Sequence, residues 1–156
     1  MVCKNIKELR KALQEKIDIA LLTDVADVVS DVMTDHIAQD VYDAYEPTQY
    51  IRRYSPNGLL DPSNITSYVD EHGLVVENNT LGSKYYYIGR KQFVSQNYNK
   101  EIAGVIETGE GYDIHDWEYD GVPRPFMQNS RDDIVKNHYH TKALKQGLEK
   151  QGLVVK

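Results

Sequence analysis

Crosslinking chemistry is nearly missing from this sequence. Cys3 is the only cysteine in 156 residues, so no disulfide can form within one chain, which suits a reducing cytoplasm. No apolar run approaches the 18 residues that a membrane span needs, and Met1-Val2-Cys3-Lys4 leads straight into a charged segment instead of a signal peptide. Basic residues are in the minority, 18 against 24 acidic, for a net charge of −6. General attraction to nucleic acid or to an anionic membrane is therefore not expected, because both depend on a basic surface. Phe (two) and Trp (one) are scarce, and the aromatic content rests on 12 Tyr. Tyr either stands in for Phe in a half-exposed sheet or supplies amphipathic rings to a partner surface. Finally, no Gly or Pro occurs between Asn5 and Pro47, so nothing forces a helix in that stretch to stop.

What fills that stretch is a periodic apolar pattern. Ile6, Leu9, Leu13, Ile17, Leu21, Val25, Val28, Val32 and Ile37 follow one another mostly at steps of three and four, with Val41 and Tyr45 beyond. The spacing predicts an amphipathic helix over residues 1–45. Uninterrupted, it would be a rod of roughly 60 Å, long enough to overhang a core and meet a partner. The alternative is a break at Leu22-Thr23-Asp24, with Thr23 capping a second helix. Asp24, Asp27, Asp31 and Asp35 recur beside the apolar stripe, and Asp43 and Glu46 extend the acidity. Such a row is either a solvated face or a surface that repels phosphates or awaits a basic partner.

Residues 48–125 read as strands, loops and a short helix. Thr48 to Tyr54 is β-prone and carries Arg52 and Arg53. Turn chemistry follows at Ser55-Pro-Asn-Gly58 and Asp61-Pro-Ser-Asn64. Ile65–Val69 and Leu74–Glu77 predict an antiparallel hairpin through Asp70-Glu-His-Gly73, with Gly73 at positive φ. Tyr85, Tyr86, Tyr87 and Ile88 suit a short strand, whereas Gly89 to Tyr98 reads as a long excursion containing Arg90 and Lys91. Asn99 is placed to cap a helix over Lys100–Glu107 that Gly109 and Gly111 end, a strand being the alternative for so short a run. Pro123-Arg-Pro125 is held extended. Residues 126–151 predict a closing helix, with Ser130 and Asp133 as a near capping box and Gly152 as terminator.

Catalytic chemistry is hard to assemble from these residues. Asp113, His115 and Asp116 form a possible metal-ligand cluster, and His138 and His140 could join it only if the last helix breaks there, since i and i+2 point to different sides. No nucleophile motif surrounds Cys3 or any serine. Lys84 to Lys100 mixes cations with rings, the combination that single-stranded nucleic acid requires. Two alternatives to a structural role follow: a small metal-dependent nuclease or hydrolase, and a nucleic-acid-binding module using Lys84 to Lys100.

The order of elements resembles the tail-completion, or head–tail joining (neck), proteins of long-tailed bacteriophages. The likeness lies in the long first helix, Gly58-Leu59 before the strands, the E-x-G step Glu107-Thr108-Gly109, and Arg124-Pro125-Phe126 opening the last helix. Between Gly109 and Pro123 the loop is long, and Asn57-Gly58 stands where the family has Thr-Gly. At 156 residues the chain is expected to be a single domain over 1–156, and the resemblance implies an α+β fold, with helices at both ends packed on a small, mainly antiparallel sheet. It also implies no catalysis, no cofactor and no metal. Its expected setting is a homo-oligomeric ring in the virion neck, between the portal or connector and the tail-tube or tail-terminator proteins, with DNA passing through unbound. Under that expectation Asp24, Asp27, Asp31 and Asp35 face the lumen or a neighbouring subunit. Arg52, Arg53, Tyr85, Tyr86, Tyr87, Arg90 and Lys91 supply partner contacts.

Overall fold

The chain's first helix starts where local chemistry allows it. The Asn5 side chain accepts from the Glu8 N–H (2.9 Å) while the Glu8 carboxylate accepts from the Lys4 N–H (2.8 Å), a reciprocal cap that satisfies two orphan donors. The structure, a computed structural model, describes residues 4–44, 46, 54, 56–82, 84–88, 91–95, 101–110 and 122–155, with backbone only for 84–88 and 91–95. Helical backbone then runs through α1 (Ile6–Ala20), a π-helical turn (Leu21–Val25), α2 (Ala26–His36) and a second π-helical segment (Ile37–Asp43). The site expected to break the helix is instead a widened turn. Thr23 caps nothing; its hydroxyl donates back to the Ile19 carbonyl at 2.8 Å, a bond that loosens a helix without ending it.

The class is α+β. Strands β1 (Ile65–Asp70) and β2 (Gly73–Asn78) form the expected hairpin, and β3 (Lys84–Ile88) and β4 (Lys91–Ser95) form a second antiparallel ladder, with Tyr86 opposite Phe93. Part of the stretch read as an excursion is thus a strand. The first turn is built as its residues dictate. The Asp70 carboxylate accepts from the N–H of His72 (2.7 Å) and of Gly73 (3.1 Å), and Gly73 sits at φ 126°. Helix α3 (Ile102–Thr108) is shorter than expected, and Gly109 at φ 71° ends it by donating to the Val105 carbonyl. Asn99 and Lys100 lie outside the described residues, as do Thr48–Ile51, Arg52, Arg53 and Arg90.

The closing helix is two helices, α4 (Phe126–Asn137) and α5 (Tyr139–Lys150), separated at His138 in the left-handed conformation (φ 55°). Ser130 is not a cap: it lies inside α4 and is buried. Gly152 does terminate α5. It donates to the Glu149 carbonyl while Leu153 donates to that of Leu148, the paired bonds of a Schellman motif.

By internal contacts the chain divides into two compact units. The first comprises Met1–Met33, Ser67–Val76 and Ser130–Lys156, the second Thr34–Thr66 and Glu77–Asn129. In the first unit, α1 and the π turn pack on α5 through small buried residues, Ala20 on one side and Ala143 and Gly147 on the other. Lys16 and Gln151 each bond the other's backbone carbonyl, at 2.7 and 2.8 Å. The second unit buries Ile37, Val41, Leu59, Ala103, Ile106 and Phe126, with Asn78 and Thr80 nearly inaccessible among them.

Candidate functional site

Three short elements of the second unit, far apart in sequence, are tied to one another by hydrogen bonds. Gly58 and Leu59 form a loop whose carbonyls point at β2's end. The Leu59 carbonyl accepts from the Asn78 side chain (2.8 Å), and that of Gly58 accepts from Thr80 (3.3 Å) and Asn64 (3.0 Å). Burying the Asn78 amide and the Thr80 hydroxyl is tolerable only because each is partnered. Asp61 fixes the same loop by accepting from the Asn57 N–H (2.6 Å) and from the Ser63 hydroxyl and N–H. Those donors, Asn57 first, hold its carboxyl below the ordinary carboxylate range.

From Thr80 the network continues into α3, since the Thr80 carbonyl accepts from the Ile102 N–H at 2.9 Å. At the other end of α3, the Ile106 carbonyl accepts from the Arg124 N–H (2.9 Å). Glu107 beside it reaches the first turn of α4, its two carboxylate oxygens accepting from Met127 (2.8 Å) and Gln128 (3.0 Å). A helix N-terminus has unsatisfied N–H groups and a positive dipole end, so a carboxylate from another element can serve as its cap. Phe126, on the same turn, is fully buried. Gly58 and Leu59 thus connect through Asn78 and Thr80 to α3, and Glu107 and the Ile106 carbonyl connect α3 to Arg124 and the start of α4, while Gly109 ends α3 and Pro125 precedes α4. Sequence reading could not find Glu107's role as a cap, because its partners lie twenty residues away.

The acidic row divides. Asp27, Asp31 and Asp35 are exposed, but Asp24 is mostly covered and pairs with Lys150 of α5. That ammonium, and then the Thr23 hydroxyl, hold the Asp24 carboxyl below its ordinary range. Asp40 is also engaged, with His36 and with the Asn129 side chain, each at 2.9 Å.

The other candidate chemistry is not assembled. Asp113, His115 and Asp116 lie outside the described residues. The helix does break at His138, the condition that a His138–His140 pair requires, yet among the described residues no three His, Cys, Asp or Glu gather in a metal-holding group. For Tyr85, Tyr86, Tyr87 and Lys91 only the strand register is described. No helix among the described residues is long and apolar enough to cross a membrane.

A family model described as YomN matches residues 5–150, nearly the whole chain and every element of both units. The chain belongs to the YomN family. A relative, the SPbeta prophage-derived protein YomN of Bacillus subtilis (strain 168), is 31% identical over 159 residues, covering 97% of this chain and 98% of that one. No solved structure matches. The YomN-family protein is therefore phage-related.

Proposed function

We propose that this phage-related protein is a structural component of the virion neck, completing the joint between head and tail as a ring of identical subunits around the DNA channel. In this reading it acts by assembly and not by turnover. It neighbours the portal or connector on one side and tail-tube or terminator subunits on the other. The observation that carries the reading is the joint in the second unit. The Gly-Leu loop reaches α3 through Asn78 and Thr80, and Ile106 and Glu107 tie α3 to the turn that Arg124-Pro125-Phe126 opens, so the three elements on which the resemblance to tail-completion proteins rests lie along one chain of hydrogen bonds. Elements with a shared architectural task are expected to meet in this way, whereas chance matches of short motifs have no reason to. The exposed Asp27, Asp31 and Asp35 suit a channel through which DNA must slide, since they offer phosphates no attraction.

The test is an in-frame deletion in an inducible phage that encodes the protein. Negative-stain microscopy of lysates should show DNA-filled heads and finished tails lying apart, and a supplied wild-type copy should rejoin them. Normal titre with joined particles from the deletion would end the proposal.

A further inference from the structure

One exposed ladder in the first unit is complementary to itself. Positions 7, 11, 15, 19, 23, 27 and 31 are spaced four apart along α1, the π turn and α2, and all are exposed. In a regular α-helix a four-residue ladder drifts around the surface. Each step drifts by about 40°, and the π-helical turn at Leu21–Val25, with more residues per turn, takes back part of that at mid-ladder. The ladder reads Lys7, Lys11, Glu15, Ile19, Thr23, Asp27, Asp31. Charge is polarised along the whole helix in the same sense. Residues 4–16 hold five basic side chains against two acidic, and residues 17–51 hold eight acidic and no Lys or Arg.

We infer that two copies of the protein pair through this ladder, antiparallel, with Ile19 on the two-fold axis. That register brings Lys11 near Asp27 of the second copy, and symmetry repeats the pair, while Lys7 and Asp31, turned further round the helix, add attraction between unlike ends without direct contact. A two-fold contact is self-complementary in this way by necessity: what residue i meets in one direction, it meets in the other. Ile19 (52% exposed) and the adjacent Leu22 (43%) supply an apolar centre on which the two helices cross. The parallel arrangement would instead set Lys on Lys and Asp on Asp. A single helix-on-helix contact lies at or below the low end of specific interface areas, and exposed charges are screened by salt. The pair is therefore weak and salt-sensitive. This inference does not rest on the neck assignment: the pair is a state of the free protein, and it must open before Asp27 and Asp31 can face a channel.

Sedimentation velocity on the full chain tests it, at ~5–200 µM in low and in ~0.5 M salt. The wild type should dimerise at low salt and weaken by roughly tenfold or more at high salt. Lys7→Asp/Lys11→Asp and Asp27→Lys/Asp31→Lys should each be monomeric alone. Mixed, they should form a heterodimer, because the acidic ends of one ladder then meet the basic ends of the other. The fourfold reversal should dimerise by itself. Far-UV circular dichroism checks that each variant keeps its helix. A wild type monomeric throughout would overturn the inference. So would a dimer that survives both double reversals, as one built on the exposed Ile6, Leu9 and Leu13 would.

Discussion

A single methyl group at position 147 tests the packing of the first unit. A Cβ built on Gly147 would lie 2.6 Å from the Asp24 Oδ2 and 2.9 Å from the Ala20 Cβ. Inside a helix, Gly→Ala ordinarily stabilises by about 1 kcal/mol. Here the carboxylate could swing away only by loosening its pair with Lys150, and the Ala20 Cβ cannot move without its backbone. Overpacking of this kind costs about 1–3 kcal/mol, so the penalty should win by about 1 kcal/mol. For a chain of this length that lowers Tm by roughly 2–4 °C. Gly104 is the internal control. It lies within α3 with nothing among the described residues within 4 Å of a built Cβ, so Gly104→Ala should stabilise by about 0.5–1 kcal/mol. Urea denaturation of both variants decides the matter. If Gly147→Ala gains stability as Gly104→Ala does, α1 and α5 do not approach as described.

Other expectations concern the joint and the two depressed carboxyls. Phe126→Ala should cost about 3–5 kcal/mol, since its ring is wholly buried; a loss under about 1 kcal/mol would place that ring at the surface. Glu107→Ala should cost about 1–2 kcal/mol by uncapping α4, and amide exchange should speed up at Met127 and Gln128 before it does deeper in the helix. Asp24 and Asp61 both titrate below the ordinary carboxylate value, so their folded state prefers the charged form. Their contribution is complete above about pH 4 and is lost as pH falls through the folded values. Denaturation midpoints at pH 7 and pH 3 should therefore differ less in Asp24→Asn than in the wild type, and an equal drop in both would contradict the assignment.

How far the sequence disclosed this structure depends on how local each cause was. The Asp70–Gly73 turn, the Gly109 and Gly152 ends and the first helix follow from residues within five positions of one another, and these were readable. The break at His138 was not, because no Gly or Pro marks it, and a histidine at φ 55° is chosen by surroundings and not by propensity. Ser130 looked like a cap because a hydroxyl with an acid three residues on usually is one. Its burial inside α4 reflects a helix already started by Phe126 and capped from Glu107. Asp24 looked like one of four equal acids. Only Lys150, 126 residues away, sets it apart. Long-range partners of this sort leave no trace in periodicity.

The double tie between α3 and α4 also bears on the segment it encloses. Ile106 and Arg124 are bonded backbone to backbone, and Glu107 fastens the next turn, so residues 111–121 begin and end at points fixed by something other than themselves. Lengthening a tethered excursion costs only about 0.6 kcal/mol per doubling. A peptide inserted there should therefore leave the ties between α3 and α4 in place, with little loss of stability.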